Sequence, residues 1–165
     1  MNKIIIANWK MYLTRDETVN VADEIVRIIK IKDENTLVVC PTFLALQETY
    51  NIVRKSGIKV GAQDIFWEER GAYTGEISPV DIQSLGCEYV ILGHSERRKH
   101  FGETNSIIHS KVKACLKNKL TPIICIGEDW EQRRNGQKDY VLISQLNEIL
   151  EGIKISYENK IISGN

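Results

Sequence analysis

The chain is predicted to be an α/β protein with parallel strands, and three observations predict it. Short apolar runs recur along its 165 residues, amphipathic helical patterns lie between them, and no linker or low-complexity segment breaks the alternation. The βα unit repeats about every thirty residues, so the strands are joined by right-handed crossovers. Two closures satisfy that pattern, an open doubly wound sheet and a (β/α)8 barrel. A barrel takes about 250 residues, whereas five full units and the start of a sixth strand are counted here. One domain over residues 1–165 is therefore expected.

The elements follow in order. Lys3-Ala7 forms the first strand. Thr14 with Glu17 makes a capping box for a helix whose stripe is Val19, Ala22, Ile25, Val26 and Ile29. Thr36-Cys40 is the second strand, Leu44 to Arg54 a helix candidate, and Lys59-Ala62 the third strand. Ser78-Pro79 supplies N-cap and first helical residue to a short helix. Glu88-Leu92 is the fourth strand; Tyr89-Val90-Ile91-Leu92 within it is continuous and rich in branched residues, as a strand covered on both faces should be. Ser95 is the expected N-cap of the helix that follows, with Glu96 in its first turn. A stripe of Ile108, Val112, Cys115 and Leu116 precedes the fifth strand, Thr121-Ile126. Leu142, Leu146, Ile149, Leu150 and Ile153 form the last stripe, and Lys160-Ile162 is a weaker sixth strand.

Composition narrows the function. The chain is 42% apolar, with 22 basic against 22 acidic residues and a pI near 6.8. It has no basic surplus of the kind that draws nucleic acid or an anionic membrane, so neither partner is expected. No run of 18 apolar residues and no signal-peptide pattern is present, which predicts a cytoplasmic protein. The four cysteines, Cys40, Cys87, Cys115 and Cys125, form no Cys-x-x-Cys pair and sit in or beside apolar runs. They are expected as reduced thiols, with neither a metal site nor a disulfide framework. No cofactor is expected.

In parallel α/β folds functional groups collect at the carboxyl ends of strands. Those positions hold Asn8-Trp9-Lys10-Met11, Gln63-Asp64, Gly93-His94-Ser95-Glu96 and Cys125-Ile126-Gly127-Glu128. A solvated rim explains scattered charges, and a snorkelling rim residue is the plain alternative for Lys10. An ordinary polar turn is the alternative for His94. Their joint occurrence at one end of the strands favours a site over either.

The segments "ANWKM", "GAYTGEISP", "ILGHSERR", "FGE" and "TPIICIGE" resemble the strand-end signatures of the triosephosphate isomerase family, in its order and spacing, from Ile4 to about Gly152. The resemblance implies a TIM barrel, here incomplete. It also implies a cytoplasmic homodimer of glycolysis and gluconeogenesis that interconverts dihydroxyacetone phosphate and D-glyceraldehyde 3-phosphate through an enediolate. It makes His94 the neutral electrophile on the substrate carbonyl, and a helix amino terminus does disfavour a positive ring there. Lys10 would place a positive charge beside the developing oxyanion and near the phosphate, with Asn8 orienting it and donating to the substrate. Glu96 matches the family's nearby acid, although the residues alone read it equally as a helix-start charge. Gln63 should converge on the same site. Cys125 and Glu128 match structural positions, with Glu128 expected to pair with Arg97 or Arg98. The loop Gly71 to Glu76, with Thr74, Gly75 and Glu76 at its tip, resembles the one that docks into a partner subunit, a solvated hairpin being the alternative.

One signature is missing. The family's general base is a glutamate in an Ala-Tyr-Glu-Pro-x-Trp block after strand six, and no such block occurs here. Tyr157-Glu158 is followed by Asn159-Lys160 and precedes Ile161-Ile162, so Glu158 reads as a loop residue. By spacing the base would fall at about Gly164, with the lid, the phosphate loops and strands seven and eight beyond it. Two expectations follow: bare sheet edges that favour a homodimer or pairing with a complementary fragment, and little activity from these residues alone. The competing function is a truncated, non-catalytic fragment that acts only as an assembly partner. An open-sheet phosphate binder is disfavoured, because its first turn would be glycine-rich rather than Asn-Trp-Lys-Met.

Overall fold

The computed structural model describes residues 3–31, 34–154 and 162–164. Six strands form one parallel sheet in sequential order: β1 (Ile4–Asn8), β2 (Thr36–Cys40), β3 (Lys59–Ala62), β4 (Tyr89–Leu92), β5 (Thr121–Cys125) and β6 (Ile162–Gly164). Among the described residues seven α-helices stand between them: α1 (Arg15–Ile28), α2 (Leu46–Val53), α3 (Pro79–Ser84), α4 (Ser95–Phe101), α5 (Asn105–Lys117), α6 (Trp130–Arg134) and α7 (Lys138–Leu150). The register is continuous, with Ala7 beside Val39, Val39 beside Val60, and Leu92 beside Ile124.

The two faces of the sheet decide between the closures. Val39, Val60, Val90, Leu92 and Ile124 pack with Ala22 of α1, Leu46 and Val53 of α2, Ile82 of α3, Ile108 and Val112 of α5, and Ile149 of α7. The alternate strand residues Val38, Cys40, Tyr89, Ile91 and Ile123 form a second cluster, which among the described residues is joined by Ile6, Cys125 and Ile162, all on strands. Helices on one face and strand side chains alone on the other describe a barrel wall. A doubly wound sheet would carry helices on both faces. The chain is an incomplete (β/α) barrel, and β1 is its edge, with Ile4 and Ile5 48% and 58% exposed.

Local chemistry explains the boundaries. The Thr14–Glu17 capping box forms as expected. The second helix starts later than its apolar pattern because Phe43–Ala45 makes a 3-10 turn ahead of it. Helix α6 lacks an apolar stripe and was not expected; its signal is the Asp129–Gln132 capping box. The sixth strand is described two residues later than predicted, at Ile162–Gly164, while Lys160 and Ile161, like Tyr157 and Glu158, lie outside the described residues. No helix among the described residues is long and apolar enough to cross a membrane. Cys40, Cys87 and Cys115 are buried free thiols and Cys125 is half-buried. Burial pushes the Cys40 and Cys87 thiols up to about 12, which leaves them inert.

Packing inside the barrel wall depends on Gly61. A Cβ there would stand 2.8 Å from Cys40 Sγ and 3.2 Å from both Tyr89 Cβ and a Val38 methyl. Gly61→Val is expected to destabilise the fold by about 1–3 kcal/mol, measured by chemical unfolding; an unchanged midpoint would show that this face is loosely packed.

Candidate active site

The site is built on the turn after β1. Lys10 has φ 53°, a left-handed conformation uncommon for a side-chain-bearing residue, and three contacts hold the turn there. Asn8 Oδ1 accepts from the Lys10 backbone N–H at 3.0 Å, and Gln63 Nε2 donates to the Lys10 and Cys40 carbonyls, both at 2.9 Å. Asn8 and Gln63 are thus clamps on the lysine backbone. The Lys10 ammonium donates to Glu96 Oε1 at 2.7 Å across 86 residues of chain. That hydrogen bond raises the Lys10 ammonium and lowers the Glu96 carboxyl from their ordinary values.

His94 joins β4 to α4, and here the structure corrects the capping assignment. Ser95 is the first residue of the helix; His94 is its N-cap, its Nδ1 accepting from the Glu96 backbone N–H at 3.3 Å. An accepting Nδ1 carries no proton, so the neutral ring keeps its hydrogen on Nε2. The ring therefore offers a donor without a charge. Gly93 makes the turn with φ 70°, where a Cβ would lie 2.7 Å from Ile108 Cδ1. Gly93→Ala is expected to lower stability by about 1–3 kcal/mol through strain and overlap and to tilt His94. Thermal unfolding together with the His94 ring NMR signals would show both effects.

Asn8, Lys10, Gln63, His94 and Glu96 all line one open cleft of about 720 Å³. A second hollow of about 450 Å³, on the inner face of the sheet, shares Asn8 and His94 and adds Arg98, Cys125 and Glu128. Arg98 donates to the carbonyls of Gly93 and Cys125 and to Asn105 Oδ1, tying the ends of β4 and β5 together. Glu128 departs from expectation. Its partner is Arg133 at 3.2 Å, neither Arg97 nor Arg98, because both of those are engaged elsewhere and α6 brings Arg133 back over the β5 turn.

Arg97 belongs to a buried ionic cluster that sequence reasoning missed. Its guanidinium meets Asp64 at 3.0 Å and Glu103 at 2.6 Å, and both carboxylates also bond the ammonium of Lys111, which is 2% exposed. The available signal was a lysine at the i+3 position of the Ile108 stripe, on the apolar face of α5. Burial, with Glu103 nearby, outweighs the cations and pushes the Asp64 carboxyl up to about 6. Burial raises Glu103 as well, but hydrogen bonds from Lys111 and Arg97 overcome it and hold that carboxyl below its ordinary value. A raised acid binds its proton more tightly when folded, so the Asp64 contribution to stability grows as pH falls from about 6 towards 4. Asp64→Asn removes that slope. The stability of the parent relative to this variant is expected to rise between pH 7 and pH 5, by about 1 kcal/mol. Urea unfolding at both pH values tests the sign, and a fall would refute it.

The loop Gly71 to Glu76, including Thr74 and Gly75, is exposed throughout. It is closed at its base by Phe66 N–H to the Ile77 carbonyl and by Ser78 Oγ to the Glu69 carbonyl. The Tyr73 ring packs on Phe66 at 4.6 Å, and Gly71 (φ 152°) leaves room for that ring. The loop is a projection closed at its base and exposed along its length. Among the described residues no group of His, Cys, Asp and Glu is arranged to hold a metal ion.

Comparison with known proteins gives a consistent result. The family model for triosephosphate isomerase matches residues 3–163. The triosephosphate isomerase of Dictyoglomus thermophilum is 46% identical over 160 residues, covering 97% of this chain and 64% of that protein. That of a Thermoanaerobacter species is 46% identical over 151 residues, covering 91% and 60%. That of Clostridium perfringens is 43% identical over 159 residues, covering 96% and 64%. The chain spans a little under two thirds of the length of these relatives.

Proposed function

We propose, since this chain belongs to the triosephosphate isomerase family, that the protein carrying it interconverts dihydroxyacetone phosphate and D-glyceraldehyde 3-phosphate through an enediolate. The observation that carries the reading is the His94 ring. Capping of α4 makes its Nδ1 an acceptor, which places the neutral ring's proton on Nε2, and the residue lines the same cleft as Lys10. Substrate carbonyl oxygen gains negative charge when a proton leaves the adjacent carbon. A neutral donor stabilises that oxyanion and passes its proton between the two substrate oxygens without first being charged. Lys10 supplies the fixed positive charge for the oxyanion and the phosphate, Asn8 holds the lysine turn and donates to substrate, and Glu96 accepts from the ammonium. The general base that abstracts the carbon-bound proton is the family's glutamate after strand six; no Tyr-Glu-Pro block occurs in these 165 residues.

The reading extends to assembly and place. The Gly71–Glu76 loop is proposed to dock into a second copy, with Thr74 reaching that copy's Asn8 and Lys10, in a cytoplasmic homodimer of glycolysis and gluconeogenesis. The test of the reaction is isomerisation in D2O. Deuterium is expected at the carbon next to the carbonyl of recovered substrate and product. Isomerisation with full retention of the carbon-bound hydrogen would contradict the enediolate.

A further inference from the structure

We propose that Lys111 is a positioning residue for Lys10, a single buried cation that fastens both of the arms holding the site lysine. The first arm runs through Asp64, whose two carboxylate oxygens each accept from Lys111 Nζ at 2.7 Å. The residue before it, Gln63, clamps the Lys10 carbonyl. The second arm runs through Glu103, which also accepts from Lys111 Nζ and in turn holds Arg97 at 2.6 Å. The residue before Arg97 is Glu96, which holds the Lys10 ammonium. Arg97 also meets Asp64 at 3.0 Å and closes the ring between the arms.

Exposure decides which of these contacts sets the geometry. The Lys10–Glu96 pair is 37% and 48% exposed, and such a surface pair by itself orders little. Side chains of Asp64, Glu103 and Lys111 are 7%, 5% and 3% exposed. There the charges are screened poorly, and a missing partner leaves the others uncompensated. Without Lys111, two buried carboxylates share Arg97 alone and repel one another, so Asp64 after β3 and Glu103 after α4 separate and Arg97 no longer holds both, which loosens α4 against the end of β3. Lys10, spanning them, loses either its backbone clamp or its carboxylate.

The kinetic part rests on the isomerase reading; the spectroscopic part does not. The test uses the protein carrying this chain, as Lys111→Met and as Lys111→Met combined with Asp64→Asn and Glu103→Gln. The triple variant has no stranded carboxylate and carries the test if the single variant does not fold. In the parent, the Lys10 ammonium titrates above the ordinary lysine range because of its Glu96 hydrogen bond. In the folded triple variant the NMR titration of Lys10 is expected to relax to the ordinary range, and kcat to fall about 10- to 100-fold with less change in KM. A folded triple variant with the parent's Lys10 titration would overturn the proposal, whatever the stability of the single variant. A relaxed titration in a protein without isomerase activity would support the positioning and refute the functional reading.

Discussion

Replacing His94 by Asn is expected to lower kcat by about 10²- to 10³-fold, the usual cost of removing one donor from a developing oxyanion. Asn is the informative choice because it preserves the structural duty of the residue. The Nδ1 of His94 caps α4, and Asn is among the better N-cap residues, so its side-chain oxygen can accept the same Glu96 N–H. What the variant loses is the donor at Nε2 and its ability to shuttle a proton between adjacent oxygens. Lys10→Ala should be at least as damaging to kcat/KM, since the role proposed for the ammonium covers both oxyanion and phosphate. The two losses together should fall short of their product, because residues that act as a unit are not additive. Steady-state kinetics with an unfolding control distinguish these outcomes from simple loss of structure. A His94→Asn protein within threefold of the parent would remove the histidine from the chemistry.

A polypeptide ending at Asn165 is expected to show no turnover above the solution reaction. It holds the proposed electrophile and lysine, no Tyr-Glu-Pro block occurs in its sequence, and loss of a general base alone commonly costs about 10²- to 10⁴-fold. Closing groups that orient the phosphate contribute further. Adding a second polypeptide that begins with the strand-six block should restore activity, and Lys10→Ala in the first should abolish it again. Restored turnover that tolerates Lys10→Ala would place the chemistry elsewhere. Robust activity from the shorter polypeptide, free of contaminating isomerase, would redirect attention to Glu96, Glu128 and Glu158 as bases. Glu96 lies nearest, its Oε2 being 3.4 Å from His94 Nδ1.

The architecture was legible because βα repetition is written in apolar periodicity and in caps. Thr14 with Glu17 and Ser78 with Pro79 mark helix starts that the structure reproduces. Barrel and doubly wound sheet were not separable by periodicity, since both bury strands on two faces; the difference lies in what covers each face, as with Val38 against Val39. Convergence of Asn8, Lys10, Gln63, His94 and Glu96 was legible because all sit at or just beyond the carboxyl ends of strands. The duties within the site were less so. That His94 rather than Ser95 caps α4 depends on backbone angles at the turn, and that Glu128 turns to Arg133 depends on a five-residue helix without an apolar stripe. The Asp64–Lys111–Glu103–Arg97 cluster joins four residues spread from position 64 to position 111. Lys111 alone carries a signal, its place on the apolar face of α5, and only the fold reveals which charges it meets there.

The central claim, that His94 acts as a neutral donor through Nε2, is tested most directly by nitrogen NMR of the His94 ring in the protein bound to a phosphorylated enediolate analogue. The account predicts one protonated nitrogen, Nε2, with its proton shifted downfield on binding, and an unprotonated Nδ1 that still caps α4. Two protonated ring nitrogens in the complex, or an Nε2–H unmoved by the analogue, would contradict it.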